Sequence, residues 1–218
     1  MTSGTTASIF DLDGVLTRQD TMASLVGTRL RTHPRRIPVV LLPFVAASLA
    51  RVDGALRPAM HRTVVARALR GMTAEEYEEQ ALLTGRAMAG GATVVTQAVD
   101  RCRRALAQGP TVVATASEST LARAFLDGVG LQGVPLAASH LTFTPRGPLL
   151  TTHNIGAAKI DAVRAQGISP EHASFYTDSA SDTPLARVAR RTIAVNATRG
   201  SLKRLTAVAR SITEVRWN

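Results

Sequence analysis

From Ala92 to the carboxyl terminus the sequence alternates between helical and extended patterns, and that alternation constrains the fold more than any other feature. A helix from Ala92 to about Gln108 leads through Gly109-Pro110 into the β-branched run Thr111 to Thr115, and a helix from Thr120 to about Gly128 follows. Leu141 to Thr144 and Pro148 to Leu150 read as a hairpin across Pro145-Arg146-Gly147, since Pro-x-Gly suits a turn. Ile155 to Gln166 has helical period and stops at Gly167, whereas Ala173 to Thr177 is extended and ends on Asp178. Thr183-Pro184 opens another helix, with threonine as cap and proline in the first turn. Thr192 to Val195, a helix from Ser201 to Arg210 and a last strand from Ile212 to Trp217 complete the series. Strands alternating with helices predict an α/β fold with a doubly wound parallel sheet, a Rossmann-like core. In such sheets the chemistry sits at the carboxyl ends of the strands.

The stretch Ser8 to Thr17 supplies the first strand end. Apolar Ile9 and Phe10 give way at once to Asp11 and Asp13, followed by Gly14. Side chains two apart on a strand share a side, and the glycine lets the backbone turn away and present the two carboxylates differently. Like charges that close raise one pKa unless a cation lies between them, so the pair points to a metal, to acid/base chemistry, or to both. The strand-end rule then says which residues ought to meet this pair. They are Thr115-Ala116-Ser117 after the second strand, Asp178 with Asp182 after a later one, and Lys159 from the intervening helix. Each also has a plainer reading. Ser117 suits a helix cap, Lys159 a solvated helix position, and Asp178 and Asp182 a turn and a helix amino terminus.

Nothing between Thr17 and Ala92 alternates as a strand, which predicts an all-helical insertion over 18–91 in a core made of 1–17 and 92–218. Thr21 to Leu30 forms one helix, and Arg29, Arg31, Arg35 and Arg36 cluster around its end. Ile37 to Ala50 is the most apolar run, broken by Pro38 and Pro43; its 14 residues fall short of the roughly 20 that cross a bilayer. A helix packed inside the insertion is the preferred reading, and an interfacial segment steered to lipid by the arginines is the alternative. A helix from about Gly54 to Arg70 ends at Gly71, and Thr73 with Glu76 forms a capping box for a helix reaching about Ala89, before the break at Gly90-Gly91.

An apolar content of 45% with 19% charged residues describes a globular chain. The net charge of +10, carried almost wholly by arginine because Lys159 and Lys203 are the only lysines, favours anionic partners: phosphate esters, nucleic acid or an acidic membrane surface. Aromatic residues, at 4%, are not interleaved with the basic ones, so no stacking platform is visible and nucleic acid is disfavoured. The lone Cys102 excludes an internal disulfide and a cysteine-rich zinc site, and it reads as a small half-buried helix residue. Met1 to Thr6 has no signal-peptide pattern, which makes a cytoplasmic protein the expectation.

The four strand-end segments together resemble the four motifs of the haloacid dehalogenase superfamily, and more narrowly its phosphoserine-phosphatase-like branch with an inserted helical cap. Asp11-Leu12-Asp13-Gly14 is similar to the opening motif, Thr115 to the small hydroxyl residue, Lys159 to the lysine, and Asp178-Ser179-Ala180-Ser181-Asp182 to the closing acidic pair. The resemblance implies a Mg2+-dependent phosphomonoesterase acting on a small phosphorylated metabolite such as a phosphoserine-like, sugar or cyclitol phosphate. Asp11 would be the nucleophile that forms an aspartyl-phosphate, and Asp13 the acid and base. The ion would be held by Asp11, the main-chain carbonyl of Asp13 and Asp178; Thr115, the amide of Ala116 and Lys159 would bind phosphoryl oxygens; Asp182 would orient Lys159 or a water at the metal. An acid at Asp13 favours phosphate over halide as the leaving chemistry. Asp20 falls where phosphoserine phosphatases carry a substrate-contacting glutamate, but none of Arg62, Arg67 and Arg70 is in register with their cap arginine. Two alternatives stand beside this reading: a peripheral membrane lipid-phosphate phosphatase, and a basic nucleic-acid-binding module without catalysis.

Overall fold

The computed structural model describes residues 6–38, 63, 65–144 and 147–218. Most of the apolar run to Ala50, residues 54–62 and 64 of the helix expected before Gly71, Arg62, and Pro145-Arg146 of the hairpin turn lie outside the described residues.

Seven strands form one sheet: β1 (Ala7–Phe10), β2 (Thr111–Glu118), β3 (Leu136–Thr144), β4 (Gly147–Thr152), β5 (Ala173–Thr177), β6 (Arg191–Val195) and β7 (Ile212–Val215). Their order is β4-β3-β2-β1-β5-β6-β7, parallel throughout except for the antiparallel β3–β4 hairpin at one edge. The helices are α1 (Thr21–Thr32), α2 (Ala74–Ala89), α3 (Thr96–Gln108), α4 (Ser119–Gly128), α5 (Ala158–Ala165), α6 (Thr183–Val188) and α7 (Arg199–Thr206). The sheet is covered on both faces because its central strands are apolar on both. Neighbouring residues Ile9 and Phe10, Val112 and Val113, and Phe175 and Tyr176 divide between two separate cores. Phe10, Val113 and Tyr176 pack with Cys102 of α3 and Phe125 of α4, while Ile9, Val112 and Phe175 pack with Val163 of α5, Leu185 of α6 and Leu205 of α7. Full burial of side chains such as Phe10, Phe125 and Phe175 contributes roughly 1.5–3 kcal/mol each. The doubly wound α/β architecture is the one the alternating pattern predicts.

Several element boundaries differ from the sequence expectation. Helix α3 begins at Thr96 rather than Ala92. The preceding β-branched Val94 bridges Thr17 in antiparallel fashion, and the Arg18 and Val95 amides donate to the Thr93 and Leu16 carbonyls at 2.9 Å. The two ends of the insertion are thereby stitched to each other. Strand β2 continues past Thr115 to Glu118, β3 begins at Leu136, and α5 starts only at Ala158, after a turn with Gly156 at φ +61°. Thr183 is the first residue of α6 rather than its cap, α7 runs earlier than expected under a Thr198 cap, and β7 ends at Val215.

The described part of the insertion is helical. Thr73 and Glu76 close the expected capping box on α2, and Gly71 stands at φ +72° where the preceding helical segment ends. Helix α2 lies directly on α4: a Cβ at Gly85 would come within 2.6 Å of the Ala124 Cβ, and one at Gly128 within 2.5 Å of the Ala89 Cβ. A third cluster joins Leu25, Leu69, Met72, Tyr77 and Ala81 to Leu121 of α4. Among the described residues no helix is long and apolar enough to cross a membrane.

Candidate active site

β1 ends where its apolar residues end, and the loop that follows is pinned by its own hydrophobic side chains. Leu12, Val15 and Leu16 are fully buried, and Asp11 and Asp13 on either side of Leu12 line a cleft at the carboxyl ends of the strands. Gly14, at φ +79°, makes the turn possible, and its amide donates to the Thr17 carbonyl at 2.7 Å. The missing side chain matters as well. A Cβ at Gly14 would stand 2.2–2.6 Å from three carboxyl atoms of Asp178, so the Asp178 carboxylate from the end of β5 rests against the Gly14 backbone.

Lys159, from the first turn of α5, is buried in this cleft. Its Nζ donates to Asp182 Oδ1 at 2.8 Å and lies 3.2 Å from Asp11 Oδ1. The other Asp182 oxygen accepts from the Thr177 hydroxyl at 2.7 Å, which fixes the carboxylate that holds the lysine. Asp11 also accepts from the Leu12 amide at 2.8 Å. Asp13 is held separately: its Oδ1 accepts from the Thr21 amide at 2.8 Å, its Oδ2 from the Ser117 hydroxyl at 2.7 Å, and the Thr21 and Ser117 hydroxyls are in direct hydrogen-bond contact. The carboxylate of Asp13 is thus gripped by the first residue of α1 and the end of β2.

Burial raises the Asp11 pKa well above the carboxylate range; Lys159 opposes the shift, and Asp182 and Asp13 add to it. Asp13 is pushed up to about 6, by burial first and by the charge of Asp20 second. Asp178 is likewise pushed to about 6 by burial and Asp182. Burial works against the Lys159 ammonium, but Asp11 and Asp182 together outweigh it and hold its pKa above the ordinary lysine value. Four carboxylates therefore face one buried ammonium, an excess of negative charge in oxygen ligands that suits a hard divalent cation. Among the described residues no group of three or more His, Cys, Asp or Glu side chains is gathered as a metal cage. The side chains that could hold such an ion are Asp11 and Asp178, which line the cleft on either side of Gly14, other positions being left to substrate and water oxygens.

The second strand end is built by side chains that the sequence reading passed over. The β2–β3 register breaks between Ala114 and Glu118, beside the expected phosphate-binding residues. Buried Asn154 spans the break: its Nδ2 donates to the Thr115 carbonyl at 3.0 Å and to the Ala137 carbonyl at 2.7 Å. The Ser139 hydroxyl donates to the Ala116 carbonyl at 2.7 Å and accepts from the Asn154 amide at 2.9 Å. These two residues supply partners that the interrupted ladder does not. Thr115 is fully buried beneath the cleft wall, with its hydroxyl accepting from the Ser117 amide at 3.0 Å, while Ala116 and Ser117 line the cleft.

Ser117 does not cap the following helix. Glu118 does, accepting from the Thr120 and Leu121 amides at 2.9 and 3.2 Å, and it also accepts from Tyr77 of α2 at 2.8 Å. The longer carboxylate reaches back to the amides and frees the serine for Asp13. Asp20 caps α1 by accepting from the Ala23 amide at 2.8 Å, and it lines the cleft as well. Arg67 and Arg70 are exposed and do not line it. Cys102 is fully buried on the helix face packed against the sheet, deeper than the half-buried position expected of it. The cleft holds about 1000 Å³ and brings together Asp11, Asp13, Asp20, Ala116, Lys159, Asp178 and Asp182.

A model of the haloacid dehalogenase-like hydrolases matches residues 9–187. No curated protein matches the sequence. Among solved structures, a protein of unknown function from Bordetella pertussis Tohama I is 21% identical with a TM-score of 0.72, covering 96% of this chain and 99% of its own. A phosphoserine phosphohydrolase-like protein from Francisella tularensis subsp. tularensis SCHU S4 is 14% identical with a TM-score of 0.63, covering 95% and 94%. A phospho-aspartyl intermediate analogue of phosphoserine phosphatase is 17% identical with a TM-score of 0.60, covering 97% and 94%. At these identities the likeness is one of fold.

Proposed function

The chain belongs to the haloacid dehalogenase-like hydrolase family, and from that premise we propose that it is a phosphomonoesterase that works through an aspartyl-phosphate on Asp11. The observation that carries the proposal is the buried Asp11–Lys159–Asp182 arrangement set beside an independently held Asp13, at the carboxyl ends of parallel strands. The similarity of fold to phosphoserine phosphatase and to a phosphoserine phosphohydrolase-like protein supports a phosphate ester as the substrate class.

In the proposed reaction an Asp11 carboxylate oxygen attacks phosphorus while the bond to the leaving oxygen breaks, and Asp13 gives that oxygen its proton. Asp13, now a carboxylate, takes a proton from water as the water attacks the phosphorus; the bond to Asp11 breaks and inorganic phosphate leaves. Splitting one displacement into two lets the same carboxyl serve first as acid and then as base. Lys159 and the Ala116 amide bind phosphoryl oxygens, with Thr115 fixing the strand end behind them, and Asp182 keeps the ammonium aimed. A bound Mg2+, held by Asp11, the Asp13 carbonyl and Asp178, would offset the repulsion between nucleophile and phosphate. In this reading the insertion over 18–91 serves as the cap, joined to the core beside the Thr17–Val94 bridge, and Asp20, which lines the cleft, is the residue proposed to meet the leaving group.

Purified protein should release phosphate from a generic aryl phosphate when Mg2+ is present, and Asp11→Asn should abolish release. Undiminished turnover by that variant removes Asp11 as nucleophile.

A further inference from the structure

The cleft is divided by the strand order. On the side of β5 and β6 it is polar, with Ser179 to Asp182, Ser201 and Arg204 on its wall. On the opposite side, where the β3–β4 hairpin, α1 and residues 65–68 meet, the wall is made of Met22, Val65, Leu141, Pro148, Leu150 and Ile155. Among the described residues, Arg18 and Asp20 before α1, Glu118 at the end of β2, Ser139 and His153 interrupt that side; Asp20 is engaged with the Ala23 amide, Glu118 with Tyr77 and the Thr120 and Leu121 amides, and Ser139 with the Ala116 carbonyl and the Asn154 amide. The catalytic carboxylates stand between the two sides. A phosphoryl group seated on Lys159 therefore has two directions in which to send its leaving group, and one of them is an apolar wall in a cleft of about 1000 Å³, the upper end for a drug-sized ligand.

Resting on the phosphomonoesterase reading, we infer that the preferred substrate is a phosphate monoester of an apolar alcohol, whose hydrocarbon body lies along the Met22–Leu141–Leu150 wall. Along Met22, Leu141, Pro148 and Leu150 a polar leaving group such as that of phosphoserine would lose water from its ammonium and carboxylate to side chains that offer no hydrogen bond in return. A hydrocarbon body gains instead, by about fourfold in transition-state binding for each methylene that is fully buried. The wall is continuous with the catalytic carboxylates, so this gain is available to the scissile ester itself.

The test is a homologous series of n-alkyl phosphates from ethyl to octyl, each below its micelle threshold, with O-phosphoserine alongside. A second arm presents phosphatidate in neutral-lipid vesicles. The inference expects kcat/KM to climb by about twofold to fourfold per methylene over several carbons and to exceed that of phosphoserine. In the double variant Met22→Gln/Leu150→Asn, both positions being half-buried, Leu150 outside the clusters and Met22 at the edge of the third, the slope should fall toward one while thermal unfolding reports whether the fold is kept. Turnover of phosphatidate in vesicles would identify a membrane lipid as the source of this chemistry, and turnover of soluble esters alone would identify a free metabolite. A flat or falling chain-length profile, a preference for phosphoserine, or a slope unmoved by the double variant overturns the inference while leaving the phosphatase reading intact. No release from any ester sinks both.

Discussion

Replacing Gly14 by alanine is the sharpest perturbation of the site, because the backbone and the neighbouring carboxylate both oppose a side chain there. At φ +79° an L-residue costs roughly 1–2 kcal/mol. The added Cβ would stand 2.2 Å from the Asp178 Cγ, so the carboxylate must retreat by about 1.2 Å to reach the 3.4 Å at which ordinary contact begins. A displacement of about 1 Å at a reacting centre can cost on the order of 100-fold in rate. Gly14→Ala should therefore lose about 1–2 kcal/mol of stability, or roughly 2–8 °C in Tm for a chain of this size. Its phosphate release should fall on the order of 100-fold, with a higher Mg2+ concentration needed for half-maximal rate. Thermal unfolding and a Mg2+ titration of aryl phosphate hydrolysis read both effects on one preparation. Near-native turnover at native Mg2+ dependence would refute the reasoning, since it would mean that Asp178 can move without consequence.

Other expectations follow from the same geometry. Asn154→Asp removes the donor shared by the Thr115 and Ala137 carbonyls, which should cost about 2–4 kcal/mol in denaturant unfolding. It should also weaken inhibition by inorganic phosphate about tenfold, with Asn154→Ala milder on stability because it adds no repulsion; unchanged phosphate affinity would contradict a positioning role. Mg2+ at 100 times its Kd should stabilise the metal-free protein by about 2.7 kcal/mol, and Asp178→Asn should erase most of that gain in a thermal-shift assay. An absent shift in the native protein would count against the oxygen-ligand site. Cys102 is fully buried and its thiol is pushed up to about 12 by burial, so it should resist alkylation at pH 8 until the protein is denatured. Rapid labelling of the folded protein would show the helix–sheet packing to be wrong.

The strand ends were legible because the apolar residues of a buried parallel strand continue almost to the point where it stops. Asp11 after Ile9-Phe10, and Asp178 after the run that ends at Thr177, therefore marked themselves. Lys159 stood out as one of two lysines in a chain that otherwise uses arginine, and the fold brings it to Asp11 and Asp182. Asn154 and Ser139 carried no such mark. Their importance arises from a register break between β2 and β3, and a break in pairing is a property of two strands together that neither segment records alone. Serine at position 117 suits a cap locally, but the next residue has the reach to take the amides and the serine hydroxyl turns to a carboxylate 104 residues earlier. Val94 looked helical beside its neighbours, yet its β-branched side chain sits on a backbone that pairs with Thr17. Local propensity yields in each case to a contact made across the chain.

Whether Asp11 carries the phosphoryl group can be measured directly by rapid quenching of Asp13→Asn during turnover of a phosphate ester, followed by peptide mass spectrometry. The variant lacks both the leaving-group acid and the base that activates water, so with an activated aryl phosphate, whose phenolate departs without a proton, a covalent intermediate should accumulate. The account predicts one phosphoryl group on Asp11, released by hydroxylamine as an acyl phosphate would be, and absent from Asp11→Asn. A phosphoryl group on any other residue, or sustained phosphate release by Asp11→Asn with no adduct, would contradict it.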